Sequence, residues 1–287
     1  MDEIIQVLAN LSTLVFVISS MLAMGLSLTL RQILGSLRDK GLVVRLLVAN
    51  FVLVPLVAYL IKTVIPLEES LAIGLILLAT AAGAPFLPKL AQAAKGNRAF
   101  SVGLMVLLMV VTVVYMPLVL PLLLPGVQVN PWEIGRSLIL LMLLPLGIGL
   151  LMNARYDDIA RSLQPLMAQA SSTSLLAVFA LMLILNLDSV LGTLGSGALL
   201  AALLLIASSF LLGFFLGGTT SDLRSVAGLG TAQRNVAAAM VVATGNFTDP
   251  NVLVMILVGA LLMLVLLMPL AGELGRRSPG GNHFGSP

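Results

Sequence analysis

The chain has 287 residues, 59% hydrophobic and 9% charged, with a net charge of +3 and a mean hydropathy of +1.12. Soluble globular proteins carry about a quarter charged residues, so a water-soluble enzyme or adaptor is excluded. The absence of cysteine removes disulfide and thiolate chemistry, and the basic residues gather on no soluble face, which argues against nucleic acid as a partner.

Continuous apolar runs of the roughly 20 residues that cross a bilayer fall at 4–30, 41–65, 69–95, 99–124, 131–153, 160–187, 194–217, 221–247 and 250–275. They predict an all-α polytopic membrane protein with nine transmembrane helices, embedded in the lipid bilayer. A β-barrel would instead show alternation over about ten residues. The acidic start, Asp2 and Glu3, lacks the basic region of a signal peptide, so the first run is read as a retained span.

The third run contains Thr80-Ala-Ala-Gly-Ala-Pro-Phe-Leu-Pro-Lys89. Pro85 and Pro88 remove amide donors and clash with the preceding turn, which predicts a helix break. The eighth run contains Gly228-Leu-Gly-Thr-Ala-Gln-Arg-Asn235, where Gly228 and Gly230 combine with four polar side chains. Irregular backbone at such depth survives only around protein or a cavity, so a second break is expected there. The tail, 276–287, is rich in Gly and Pro and reads as disordered and cytoplasmic; its His283 is given no functional role.

Basic residues mark every second connection: Arg31, Arg38, Lys40 and Arg45, then Lys95 and Arg98, Arg155 and Arg161, Arg224, and finally Arg276 and Arg277. The positive-inside tendency then places the N-terminus outside and the C-terminus in the cytoplasm. An integral protein of a bacterial inner (plasma) membrane, monomeric or homodimeric, is expected.

Gly96-Asn97 and Gly245-Asn246 each follow an interrupted run and precede a long uninterrupted one, and 245 − 96 = 149. Eleven residues before each glycine stand Pro85 and Arg234. The chain therefore divides into a first repeat, 1–124, and a second, 125–275, which run in opposite directions on the expected topology. Breaks at matching positions of an inverted repeat predict a binding site between them.

Arg234 is the one charge near the middle of its run. A permanent cation at mid-depth costs roughly 2.5 to 3.5 kcal/mol on insertion scales and needs a polar cavity, a counter-charge or a ligand. The carboxylates, Asp188, Asp222, Asp249 and Glu273 among them, fall in predicted loops or near span ends. An anionic substrate is then the simplest partner, and the alternative is a clamp on carbonyls freed by the helix break.

The run Met21-Leu-Ala-Met-Gly-Leu-Ser-Leu-Thr-Leu30, the turn Ala94-Lys-Gly-Asn97 leading into Ala99-Phe-Ser-Val-Gly103, and Gly230-Thr-Ala-Gln-Arg-Asn-Val-Ala-Ala239 resemble the bile acid:sodium symporter family, in its nine-span version that lacks the first helix of the first repeat. The resemblance implies a core domain with two unwound helices crossing near mid-membrane and a panel domain against which the core moves. It also implies where sodium would bind. Aligned on Asn235, the family's Glu-x-Gly-x-Gln-Asn falls on Gly230, Ala232, Arg234 and Asn235, so only the asparagine is kept. The family's Ser-Asn pair falls on Leu87 and Pro88, a threonine on Met105, and Ser101 alone retains a sodium-ligand hydroxyl. Apolar side chains supply none of the oxygen ligands that a hard cation takes. The resemblance therefore predicts that sodium (Na+) coupling is weakened or lost, with Arg234 placing fixed charge where relatives bind a cation; no other cofactor is implied.

Candidate substrate-binding residues are Arg234, whose guanidinium fork suits a carboxylate or sulfonate, with Asn235, Gln233, Thr231, Lys89, Asn50 and Ser172. Thr231 would cap a half-helix begun after Gly230, and Lys89 either serves that site or reaches the cytoplasmic interface. A secondary transporter of small organic anions by alternating access fits best. A sodium-dependent symporter using backbone and residual ligands is the alternative, an anion channel the alternative of another class, and the lack of buried acid/base or nucleophile pairs disfavours an enzyme.

Overall fold

A computed structural model of the chain describes residues 2–29, 31, 39–124, 130–185 and 195–277. The expectations for Arg38, Asp188, the junction of the sixth and seventh runs, and the tail from Ser278 with His283 lie outside the described residues.

The described residues form helices and no strand. In chain order these are α1 (Asp2–Ser27), α2 (Lys40–Val64), α3 (Glu69–Thr80), α4 (Leu87–Ala93), α5 (Arg98–Leu123), α6 (Pro131–Arg155), α7 (Asp157–Leu185), α8 (Ala198–Leu216), α9 (Ser221–Ala232), α10 (Val236–Asn246) and α11 (Pro250–Arg277). Six stretches among them are long and apolar enough to cross a membrane: Val7–Ser27 in α1, then α2, α5, α6, α8 and α11. Their outward faces carry large apolar side chains such as Leu118, Leu122, Leu264 and Val265. An apolar surface of that extent belongs against lipid.

Local chemistry sets the helix ends. Asp39, Asn97, Asn130 and Asn235 each accept an amide of the following turn, from Leu42, Phe100, Trp132 and Ala238. Each side chain thus satisfies a donor that the first turn of a helix leaves free. α2 and α6 each widen into a π-helical turn, at Ala49–Leu53 and Ile139–Leu143, just before Pro55 and Pro145. Pro55 offers no amide to the carbonyl four residues earlier, that of Phe51. The Tyr115 hydroxyl of α5 donates to this Phe51 carbonyl at 2.6 Å.

α1 packs along α6 and α7, while α8 packs on α9 and α2, and α11 on α3. The broken runs occupy the interior of this second group. Every residue from Ile73 to Thr80 in α3, and from Ala237 to Ala243 in α10, is buried. Both stretches are apolar on all sides, as helices enclosed by other helices are. α10 also touches α1 and α6, so it stands where the two groups of helices meet.

Candidate functional site

Both expected interruptions are present, and they touch each other. The first spans residues 81–86 between α3 and α4; the second spans residues 233–235 between α9 and α10. Pro85 lies within the first, and Pro88 sits in the opening turn of α4, where a missing amide is harmless.

The second break stands further along than the glycines indicated. Gly228 and Gly230 lie inside α9, which runs on to Ala232. They serve close packing instead. A Cβ on Gly230 would stand 2.8 Å from Leu87 Cδ2 and 3.3 Å from Leu104 Cδ2, and one on Gly228 would stand 3.0 Å from Phe210 Cε2. Thr231 likewise caps no half-helix: it belongs to α9, and Asn235 provides the cap of α10.

A helix that stops inside a protein exposes its last carbonyls, which must find donors. At the end of α3 these donors come from the second break and from α5. Arg234 Nε donates to the Leu78 carbonyl at 3.1 Å, and Nη2 donates to that of Ala79. The Asn235 amide donates to the Ala81 carbonyl at 2.8 Å, and its Nδ2 to that of Gly83 at 3.0 Å. Thr112 of α5 accepts from the Ala82 amide and donates to the Ala82 carbonyl, both at 3.0 Å. Gly83 has φ +81°, and a Cβ there would fall on the backbone of α5 at Met105 and Met109. Only glycine permits that approach.

Arg234 is 1% exposed. Its Nη1 donates both to Asn50 Oδ1 of α2 at 2.8 Å and to the Thr231 carbonyl of α9 at 3.0 Å. The Asn50 amide group in turn donates to the Thr231 hydroxyl at 3.1 Å and to the Leu46 carbonyl. The Arg234 backbone amide lies 3.1 Å from Met263 Sδ of α11. Among the described residues the ion pairs join Arg161 to Asp157 and Arg276 and Arg277 to Glu273, and Arg234 enters none of them.

The countercharge of Arg234 is dipolar. α3 and α9 both end at the guanidinium, and a helix C-terminus carries roughly half a negative charge on its free carbonyls. Two such ends amount to about one unit, enough to balance a fixed cation without a carboxylate. The clamp on freed carbonyls, expected as the alternative to an anionic partner, is thus what the guanidinium forms; residue types could not say which carbonyls, since main-chain carbonyls are common to every residue.

The other candidates divide clearly. Asn50, Thr231, Gln233 and Asn235 surround the crossing with Arg234 and are buried. Gln233 is 9% exposed, and its Oε1 has no hydrogen-bond partner among the described residues. Lys89 is exposed, with its ammonium 5.5 Å from the centre of the Phe86 ring. Ser172 is exposed on α7 and donates to the Ala168 carbonyl of its own helix. Ser101 is buried and donates to the Arg98 carbonyl at 2.7 Å. Thr112 and Met263 were missed because a lone threonine and a methionine in long apolar runs carry no distinguishing signal.

No curated protein matches the chain. The sequence model of the Sodium Bile acid symporter family matches residues 14–193, more than half of the chain and including the first interruption. The chain belongs to the sodium bile acid symporter family.

Proposed function

We propose that the chain is a secondary transporter of small organic anions that works by alternating access and does not require sodium. The family supplies the transporter class, and the crossing of two broken helices around a buried cation is the observation that carries the rest.

In this reading the chain has nine spans and an inverted repeat. α4 begins at Leu87 and α10 at Val236, and 236 − 87 = 149, the separation that also relates Gly96 to Gly245. The helices around the crossing form the core, and α1, α6 and α7 form the panel. The N-terminus faces outward and the C-terminus the cytoplasm, by the distribution of basic residues.

The residues at the crossing do not fit sodium. Gly230, which aligns with the family's glutamate, has its side-chain space taken by the Leu87 and Leu104 methyl groups. Leu87 itself stands where the family's serine is expected. Arg234 fills the other oxygen-rich position with its own charge. Ser101 keeps its hydroxyl but spends it on its own helix.

Substrate recognition follows from the same geometry. The guanidinium offsets the negative ends of α3 and α9, so the N-terminal end of α10, capped by Asn235, adds its positive dipole to the field at the crossing. A carboxylate or sulfonate is drawn to that end. Gln233, buried beside it with an unpartnered oxygen, is assigned to polar groups of the substrate. Arg234, Asn235, Thr231 and Asn50 build the field and the scaffold at the crossing.

Purified protein in liposomes, preloaded with an unlabelled small carboxylate or sulfonate, should show saturable counterflow of the labelled compound at equal rates in sodium and in choline. Loss of counterflow in choline would establish sodium symport instead, and ohmic single-channel currents would establish a pore.

A further inference from the structure

We infer that the Arg234 guanidinium is a tethered cation seated in an oxygen shell that accepts a free monovalent cation once the guanidinium is removed. The inference deepens the sodium-independent reading of the crossing.

The shell is built from four acceptors on three helices. They are the carbonyls of Leu78 and Ala79 from α3, the carbonyl of Thr231 from α9, and Oδ1 of Asn50 from α2. All are neutral oxygens, the ligand type that hard cations take. Two of the three helices end there and aim their negative dipole ends at the group, so the shell keeps its preference for positive charge whatever occupies it. The Thr231 hydroxyl accepts from Asn50 Nδ2 at 3.1 Å and so holds the asparagine oxygen toward the shell. The side chains of Asn50, Thr231 and Arg234 are buried, so in the wild type the guanidinium itself fills the shell.

The guanidinium does at this place what a bound ion does elsewhere: it joins α2, α3 and α9 through their oxygens. It differs in being permanent. A guanidinium cannot dissociate from its own chain, nor lose its proton under physiological conditions. The helices it ties therefore stay tied in every step of a transport cycle, and no ion gradient enters that cycle through this shell. The oxygens ring a planar group, so a bare ion in its place needs water to complete its coordination.

The test reads cation-dependent thermal stability, which needs no substrate and so fails independently of the anion-transport reading. Wild type, R234A, R234Q and R234K are purified in sodium chloride, then exchanged into sodium, lithium, potassium or choline chloride at equal ionic strength. Wild type and R234K, which keeps a tethered ammonium, should melt at the same temperature in all four. R234A and R234Q should melt lower in choline and gain about 5 °C or more at saturating sodium, with a saturable dose response and a smaller gain in potassium. N50L added to R234Q removes a shell oxygen and should abolish the gain. Equal melting of both neutral variants in sodium and choline would overturn the inference. So would a sodium response in wild type, or failure of both neutral variants to fold even in sodium.

Discussion

Asn50 Oδ1 of α2 accepts a hydrogen bond of 2.8 Å from Arg234 Nη1, across 184 positions of sequence. The same amide group donates to the Thr231 hydroxyl, so one asparagine in a π-helical turn ties α2 to both the end of α9 and the break beyond it.

Replacing Asn50 with leucine leaves a buried cationic donor and the Thr231 hydroxyl short of a partner. Hydrogen bonds to charged groups contribute about 1.5–3 kcal/mol. N50L should therefore lower the thermal midpoint in detergent by a loss of that order, and a midpoint equal to wild type would remove Asn50 from the clamp.

Thr112 of α5 holds the first break by bonding both polar groups of Ala82. T112V keeps the shape and deletes both bonds, so a loss of about 1–3 kcal/mol is expected, while T112S retains most of the stability. Denaturation of the two variants side by side separates the hydroxyl from the methyl group.

Tyr115 is needed because Pro55 leaves the Phe51 carbonyl without a donor. Y115F should cost about 1 kcal/mol in wild type and less in a P55A background, where an amide returns. A double-mutant cycle measures the difference. Additive losses would show that the proline and the hydroxyl are unrelated.

Gly230 and Leu87 share one space. G230A should destabilise by about 1–3 kcal/mol through overpacking, and L87A by about 2–5 kcal/mol through the cavity it leaves. Combined, they should cost less than their sum. Chemical denaturation of the three variants reads the coupling directly.

Much of the architecture was legible in the residues. Apolar runs located the helices because a bilayer demands continuous hydrophobic length. Pro85 located the first interruption because a proline has no amide to give. Arg234 stood out because a lone guanidinium in such a run requires explanation. The second interruption was misplaced by a few residues. Glycine in a helix signals either a break or a close neighbour, and Phe210, Phe214 and Leu87 make it the latter here.

The residues allowed a carbonyl clamp or an anion as the partner of Arg234, and could not choose between them or name the carbonyls, since carbonyl groups leave no trace in residue identity and every position has one. Which carbonyls are free depends on where α3 and α9 stop. Whether they face the guanidinium depends on how the two broken helices cross. The residue order placed a permanent cation in the membrane; only the packing of α2, α3 and α9 around it turned the ends of two helices into its counterion.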